Sequence, residues 1–325
     1  MINLFNFFDM ARAILLYKVL MSKRLKSYFF LMVTTLTWGA FLPIVKLGFN
    51  DSEITPFRYL FYRFLLASLL SIPIVIHYLK QIKNKWKTIK TIVLLELIET
   101  SLALSCLYIG LSMTSALDTN LIATSLPLFI IFGGIVFLKE SQTRHEWLGL
   151  VFALFGTAII ALEPLWTGGE RITGSLSGNL LIIAHNILTA IYFLLAKKRY
   201  HKIPKLFVSS ISFYVGLITF ALLSLVEVNF NFSLLSSNVV TELSSPLILG
   251  VIFYAAVFGS IIGLTAYIKG QDGIEASEAS LFNYLQPAIY IPLGYFLLKE
   301  SASFLQVFSL LIIILGVYIA SRKKK

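Results

Sequence analysis

The chain is poor in the residues from which most active sites are built. Its 325 residues include one cysteine and four histidines. A lone Cys106 excludes an intramolecular disulfide and a thiolate metal cluster. His77, His145, His185 and His201 are scattered without ligand spacing, so no metal and no cofactor is expected. Nothing pairs a nucleophile with a base, and no glycine-rich phosphate loop is present. Asp272, Glu275 and Glu278 share one short connector, but they are too spread to hold a magnesium ion. A membrane enzyme is the rival class, and no catalytic residues are expected.

Charge is scarce as well. Only 13% of residues are charged and 58% are hydrophobic, against about 25% and about 45–50% in soluble domains. So much apolar side chain needs lipid as its solvent, making the bilayer the first expected partner. The net charge of +11 invites a nucleic-acid reading, which the placement of the basic residues excludes. They sit in short runs between apolar segments, as orientation in a bilayer requires.

Apolar runs of about 18 residues or more predict helices, because lipid forces each backbone group to pair within its own segment. The predicted spans are 28–48, 57–78, 89–111, 116–138, 146–165, 178–197, 206–226, 246–268, 279–298 and 303–321. The expected fold is an all-α membrane protein of ten transmembrane helices in two inverted five-helix repeats. Most Lys and Arg fall on one side, in the N-terminal segment, around 80–90, at 139–144, at 197–205, at Lys269 and at Arg322–Lys325; only Lys46, Arg58, Arg171 and Lys299 fall opposite. Both termini are therefore expected in the cytoplasm, at a bacterial inner (plasma) membrane. Residues 1–26 form an N-terminal cytoplasmic segment, either an interfacial amphipathic stretch or the product of a start placed ahead of Met21. Residues 322–325 are a basic tail.

The chain resembles itself at an offset of 160 residues. Pro127, Gly134, Leu138, Lys139, Glu140 and Gly156 recur as Pro287, Gly294, Leu298, Lys299, Glu300 and Gly316. The repeats are predicted over 27–165 and 178–321. With five spans each, the second must lie upside down relative to the first, an arrangement that builds a shared midplane cavity for alternating access.

The residues of the repeat also carry a resemblance. Thr37-Trp38-Gly39, Tyr62 to Ala67, Ser125 to Phe129 through Phe137 to Glu140, Leu285-Gln286-Pro287 through Glu300, and Gly149 with Gly156 are similar to the EamA family of the drug/metabolite transporter superfamily. The likeness runs over about 27–321. It implies a five-plus-five inverted repeat and export or exchange of small metabolites such as amino acids or purines. Thr189 stands where that family often has a tryptophan.

Several polar residues sit at membrane depth. Glu96 and Glu99 share one face of the third span, continued by Thr100, Ala103 and Cys106. Carboxylates there are functional by default, and two so close should split their proton affinities. One is expected to bind a coupling proton or a solute amine, unless it only hydrogen-bonds a neighbouring helix. Arg63 lies about 9 Å inside the second span at ~1.5 Å per residue; it holds a substrate carboxylate or snorkels. Arg58, nearer the surface, is expected at the interface. Trp38 either stacks on a solute or packs against a neighbour. His185 and Asn186 are polar at depth, as are Asn120 at the start of the fourth span and Asn283, Tyr284 and Gln286 before Pro287. Pro127 and Pro287 free backbone carbonyls and are candidate solute-facing bends. Tyr108, Tyr192, Tyr254 and Tyr290 are candidate wall residues, and Lys139-Glu140 and Lys299-Glu300 are expected to be structural, anchoring or pairing at the headgroups. A small-molecule substrate with possible proton coupling is the expected partner. A lipid-carrier flippase is the alternative, and the oligomeric state, a homodimer included, stays open.

Overall fold

The computed structural model describes residues 23–51, 54–126, 128–130, 132–133, 144–166, 175–200, 203–271, 282 and 285–321. Pro127, Asn283, Tyr284, the first-half Gly134 and Leu138-Lys139-Glu140, most of the N-terminal segment and the basic tail lie outside them.

Among the described residues every regular element is helical. Six helices are long and apolar enough to cross a bilayer: α1 (Lys23–Asn50), α2 (Pro56–Gln81), α3 (Lys85–Met113), α6 (Leu176–Arg199, apolar through Ala196), α7 (Lys205–Glu227) and α9 (residues 246–271, apolar through Tyr267). The elements α4 (Ala116–Ala123), α5 (Arg144–Trp166), α10 (Gln286–Leu293, continued by Gly294–Leu298) and α11 (Phe304–Ser321) fall within or across the other predicted spans without reaching the length and hydropathy of the six among the described residues. One helix has no counterpart in the hydropathy pattern. α8 (Phe232–Leu243) is 12 residues long, too short to cross and rich in Ser, Asn and Thr, and Asn231 caps it by accepting from the Leu234 amide at 3.1 Å.

The starts follow capping rules. Thr55 accepts from the Arg58 amide at 3.3 Å with Pro56 next in line, Ser115 accepts from Asp118, and Ser175 from Gly178. The helices are irregular where polar residues cluster. α3 passes through a π-helical stretch at Leu97–Ala103, and α9 through another at Tyr254–Ile262; such stretches are frequent at functional sites.

Three helix pairs build the bundle: α2 on α7, α5 on α11, and α3 on α6. Between lipid-soluble helices close packing replaces the hydrophobic drive, and small residues permit it. A Cβ at Gly156 of α5 would stand 2.9 Å from the Ser309 carbonyl oxygen of α11, and one at Gly110 of α3 would stand 2.9 Å from the Gly178 carbonyl oxygen of α6. Large apolar side chains such as Phe29, Leu69, Leu102, Phe155 and Phe296 point outward, while Glu96, Asp118, Asn179, Asn186 and Ser210 are buried. That inside-out distribution is what a bilayer demands.

Candidate functional site

The third span positions the carboxylates. Glu96 ends the first α-helical part of α3 and is 2% exposed. Its Oε2 accepts from the Thr100 hydroxyl at 2.8 Å, and its Oε1 from the Tyr192 and Tyr200 hydroxyls at 2.7 and 3.2 Å. Thr100 is also 2.7 Å from the Ser212 hydroxyl. Glu96 is thus clasped by hydroxyls from α3, α6 and the turn after α6, with α7 behind them. Of these, Tyr200 and Ser212 escaped the sequence reading. Tyr200 follows Lys197-Lys198-Arg199, a run that marks a helix end, and only the fold returns it to Glu96.

Glu99 lies inside the π-helical stretch and differs from its neighbour. Its Oε2 is buried without a hydrogen-bond partner, although the Thr189 hydroxyl lies within hydrogen-bonding reach of the carboxyl and Glu96 is its charged neighbour. His185 of α6 has Nδ1 3.1 Å from the Ala103 carbonyl and 3.4 Å from the Thr189 hydroxyl. Asn186 donates to the Ile122 carbonyl at 2.8 Å and to Ser125 at 3.1 Å, tying α6 to the α4 region. The amide oxygens of Asn186 and of Asn120 on α4 are both buried without a partner. Glu96, Glu99, Thr100, His185 and Asn186 therefore lie along the packing of α3 on α6, with Asn186 tied to the α4 region that carries Asn120.

The other predicted residues go elsewhere. Trp38 donates from Nε1 to the Gly259 carbonyl at 3.0 Å and lies 5.2 Å from the Tyr267 ring, both on α9. Gln286 and Pro287 open α10, which meets α1 where a Cβ on Gly39 would be 3.2 Å from the Gln286 carbonyl oxygen. Pro287 sits in the first turn, where its missing N–H matters little. Arg63 is paired with neither carboxylate. Its Nη1 donates to the Tyr108 hydroxyl at 2.5 Å, and its Nε and Nη2 donate to the Ser260 hydroxyl at 3.1 and 2.9 Å.

Two expectations need correction. Arg58 is buried, not interfacial: its Nε is 2.7 Å from Glu242 Oε1, and the Tyr62 hydroxyl donates to Glu242 Oε2 at 2.6 Å. The partner comes from α8, which hydropathy did not reveal. Glu300 is no headgroup anchor either. Its two oxygens accept from the amides of Ala116 at 3.0 Å and Leu117 at 2.9 Å, a carboxylate set on the positive end of α4. Burial lifts the Glu300 carboxyl above its ordinary value, against the pull of those amides and of Lys46. Lys46 in turn donates to the Leu111 carbonyl at 2.7 Å, near the end of α3. Among the described residues no three His, Cys, Asp or Glu side chains come together to hold a metal.

The described residues form a helical bundle with buried polar residues among helices long and apolar enough to cross a membrane, and comparison with known proteins gives its family. The model of the EamA-like transporter family matches twice, over residues 25–162 and 176–322. The chain belongs to that family. An uncharacterized transporter of Archaeoglobus fulgidus is 24% identical over 302 residues, covering 92% of this chain and 98% of that one. The uncharacterized transporter YyaM of Bacillus subtilis is 28% identical over 218 residues, 66% of this chain and 67% of its own. A crystal structure, 16% identical, superimposes with a TM-score of 0.57 over 92% of this chain and 95% of the other, a likeness of fold alone. This EamA-like protein is an integral membrane transporter and not an enzyme.

Proposed function

We propose that this transporter moves a small organic solute, amino-acid-like or of similar size, as an exporter or exchanger working by alternating access with proton coupling. In this reading two five-helix halves run upside down relative to each other, ten spans in all, and both termini face the cytoplasm of a bacterial inner membrane. The double family match and the packing support the repeat. The pairs α2 with α7 and α5 with α11 each join spans at equivalent places in the two halves. Adding the offset of 160 to Leu97–Ala103 gives 257–263, which overlaps the second π-helical stretch, Tyr254–Ile262.

The observation that carries the coupling is the unpartnered oxygen of Glu99. Leaving a buried carboxylate oxygen without a donor is costly. Glu96 avoids that cost through three hydroxyls; Glu99, with Thr189 alone within reach, leaves Oε2 unpartnered, and this oxygen is the place we assign to a proton or to the ammonium of a solute. Counterflow in proteoliposomes, with labelled amino acids, purines and organic cations and with or without a pH gradient, tests this. Replacing Glu96 and Glu99 together with Gln is expected to abolish the gradient dependence while leaving membrane insertion intact. Full proton-driven transport by that double variant would overturn the assignment.

A further inference from the structure

Helix α8 (Phe232–Leu243) is tied down at both ends. It leaves α7 through a folded corner, in which the Phe230 amide donates to the Leu225 carbonyl at 2.8 Å and the Asn229 amide to the Val226 carbonyl at 2.9 Å, the paired bonds of a Schellman motif. Asn229 and Phe230 both take a left-handed φ, 50° and 59°, which a residue as bulky as Phe adopts only where its surroundings enforce it. At the other end Ser244 and Ser245 alone separate α8 from the apolar start of α9. Both ends lie level with the start of α2. Glu227, the last residue of α7, accepts from the Thr55 cap of α2 at 2.6 Å, and Glu242 bonds Arg58 and Tyr62 in the first two turns of α2. The 12 residues of α8 span about 18 Å at ~1.5 Å per residue. With both ends at one level, that length runs along the membrane surface and not away from it.

At about 100° per residue the helix divides into three sectors. Leu235, Asn238, Val239 and Glu242 form the covered one, with Val239 packed on the core. Next to it Phe232, Val240 and Leu243 form an apolar sector that the protein leaves 68%, 67% and 36% exposed. Ser233, Ser237 and Thr241 follow as an exposed polar sector, and Leu234 beyond them is the one apolar residue out of place. Ser236 falls inside the apolar sector, but its hydroxyl donates to the Ser233 carbonyl at 2.9 Å, so no donor is left unmet there. The spans that α8 joins carry exposed apolar stripes up to the same ends, with Ile218, Leu222 and Val226 on α7 and Leu249 and Phe253 on α9. Charge is missing from this surface. The chain has no Lys or Arg between Lys205 and Lys269, and the two acids of that stretch, Glu227 and Glu242, both meet Arg58.

We propose that α8 is an in-plane helix of the lipid interface, with Phe232, Val240 and Leu243 among the acyl chains of the leaflet remote from the basic loops and Ser233, Ser237 and Thr241 toward water. An uncharged surface gains nothing from anionic headgroups, so the occupant of the apolar sector is lipid hydrocarbon. Through Glu242 the helix holds Arg58, and with it the start of α2, at that boundary.

Nitroxide labels on the full-length protein in phosphatidylcholine vesicles test the placement. Cys106→Ala removes the single native cysteine, and Phe232→Cys, Val240→Cys, Ser237→Cys and Thr241→Cys each receive one label. Collision with oxygen, which concentrates in lipid, is compared with collision with a water-soluble nickel chelate. Labels at 232 and 240 are expected to favour oxygen and labels at 237 and 241 the chelate, with the same ratios after phosphatidylglycerol is added. Chelate access at all four positions would put α8 in water and overturn the proposal. Exclusion of both reagents from 232 and 240 would overturn it as well, because protein, such as a second copy of the chain, would then cover them. A shift toward oxygen on adding phosphatidylglycerol would overturn it in favour of headgroup attraction. Should Cys106→Ala fail to fold, the labels are introduced beside Cys106 and each spectrum is read after subtracting that of the labelled parent.

Discussion

The carboxylate of Glu300 closes the first turn of a helix that begins 184 residues earlier in the chain, with Oε1 accepting from the Ala116 amide at 3.0 Å and Oε2 from Leu117 at 2.9 Å. Helix starts leave such amides without partners. Glu300→Ala is expected to lower stability by about 1–2 kcal/mol. Glu300→Gln, which keeps an acceptor and loses the charge, should cost under about 1 kcal/mol. Thermal unfolding in micelles would order the two variants; equal losses would contradict the capping role.

Glu242 joins α8 to α2 through Arg58 and Tyr62. Removing one partner of a buried ion pair strands the other, at about 3–5 kcal/mol. Glu242→Ala should approach the lower figure, because Glu227 still lies 3.8 Å from Arg58. Limited proteolysis of residues 228–245 is expected to quicken in that variant. Unchanged cleavage would mean that α8 is held by something else.

Tyr192→Phe and Tyr200→Phe each remove one hydroxyl from Glu96 Oε1. The shorter bond belongs to Tyr192, so its loss should cost more, about 1.5–3 kcal/mol if Glu96 is ionised. Melting curves of the two variants at matched pH decide the ranking. A larger effect from Tyr200→Phe would reverse it.

Gly156 tests the packing of α5 on α11. A Cβ there meets the Ser309 carbonyl oxygen and Ile313 Cγ1, both at 2.9 Å. Gly156→Val should therefore destabilise by about 1–3 kcal/mol through overpacking. Gly250, with nothing within 4 Å of its added Cβ, is the control. There Gly250→Ala should be neutral or gain up to about 1 kcal/mol from helix propensity.

Replacing Trp38 by Phe removes the bond from Nε1 to the Gly259 carbonyl while keeping a ring beside Tyr267. A loss of about 1 kcal/mol is expected. Impaired solute binding with no change in melting would instead give Trp38 a place in the solute path.

Hydropathy period and length were enough to place α1, α2, α3, α6, α7 and α9, because a bilayer rewards about 20 consecutive apolar residues whatever their neighbours. The same local rule singled out Glu96, Glu99 and Arg63 as candidates, since a charge within an apolar run announces itself in one dimension. It passed over α8, whose polar sequence is helical through its Asn231 cap and its tie to Arg58. It also misread Arg58 and Glu300, for a residue near a span end looks interfacial until its partner is known. Which segments are long and apolar enough to cross a membrane was thus set by composition alone, while pairing was decided by tertiary structure. Tyr200, Ser212, Ser260 and Glu242 reach their partners across 104, 112, 197 and 184 residues, and hydrogen bonds act over about 3 Å of space, not along the chain.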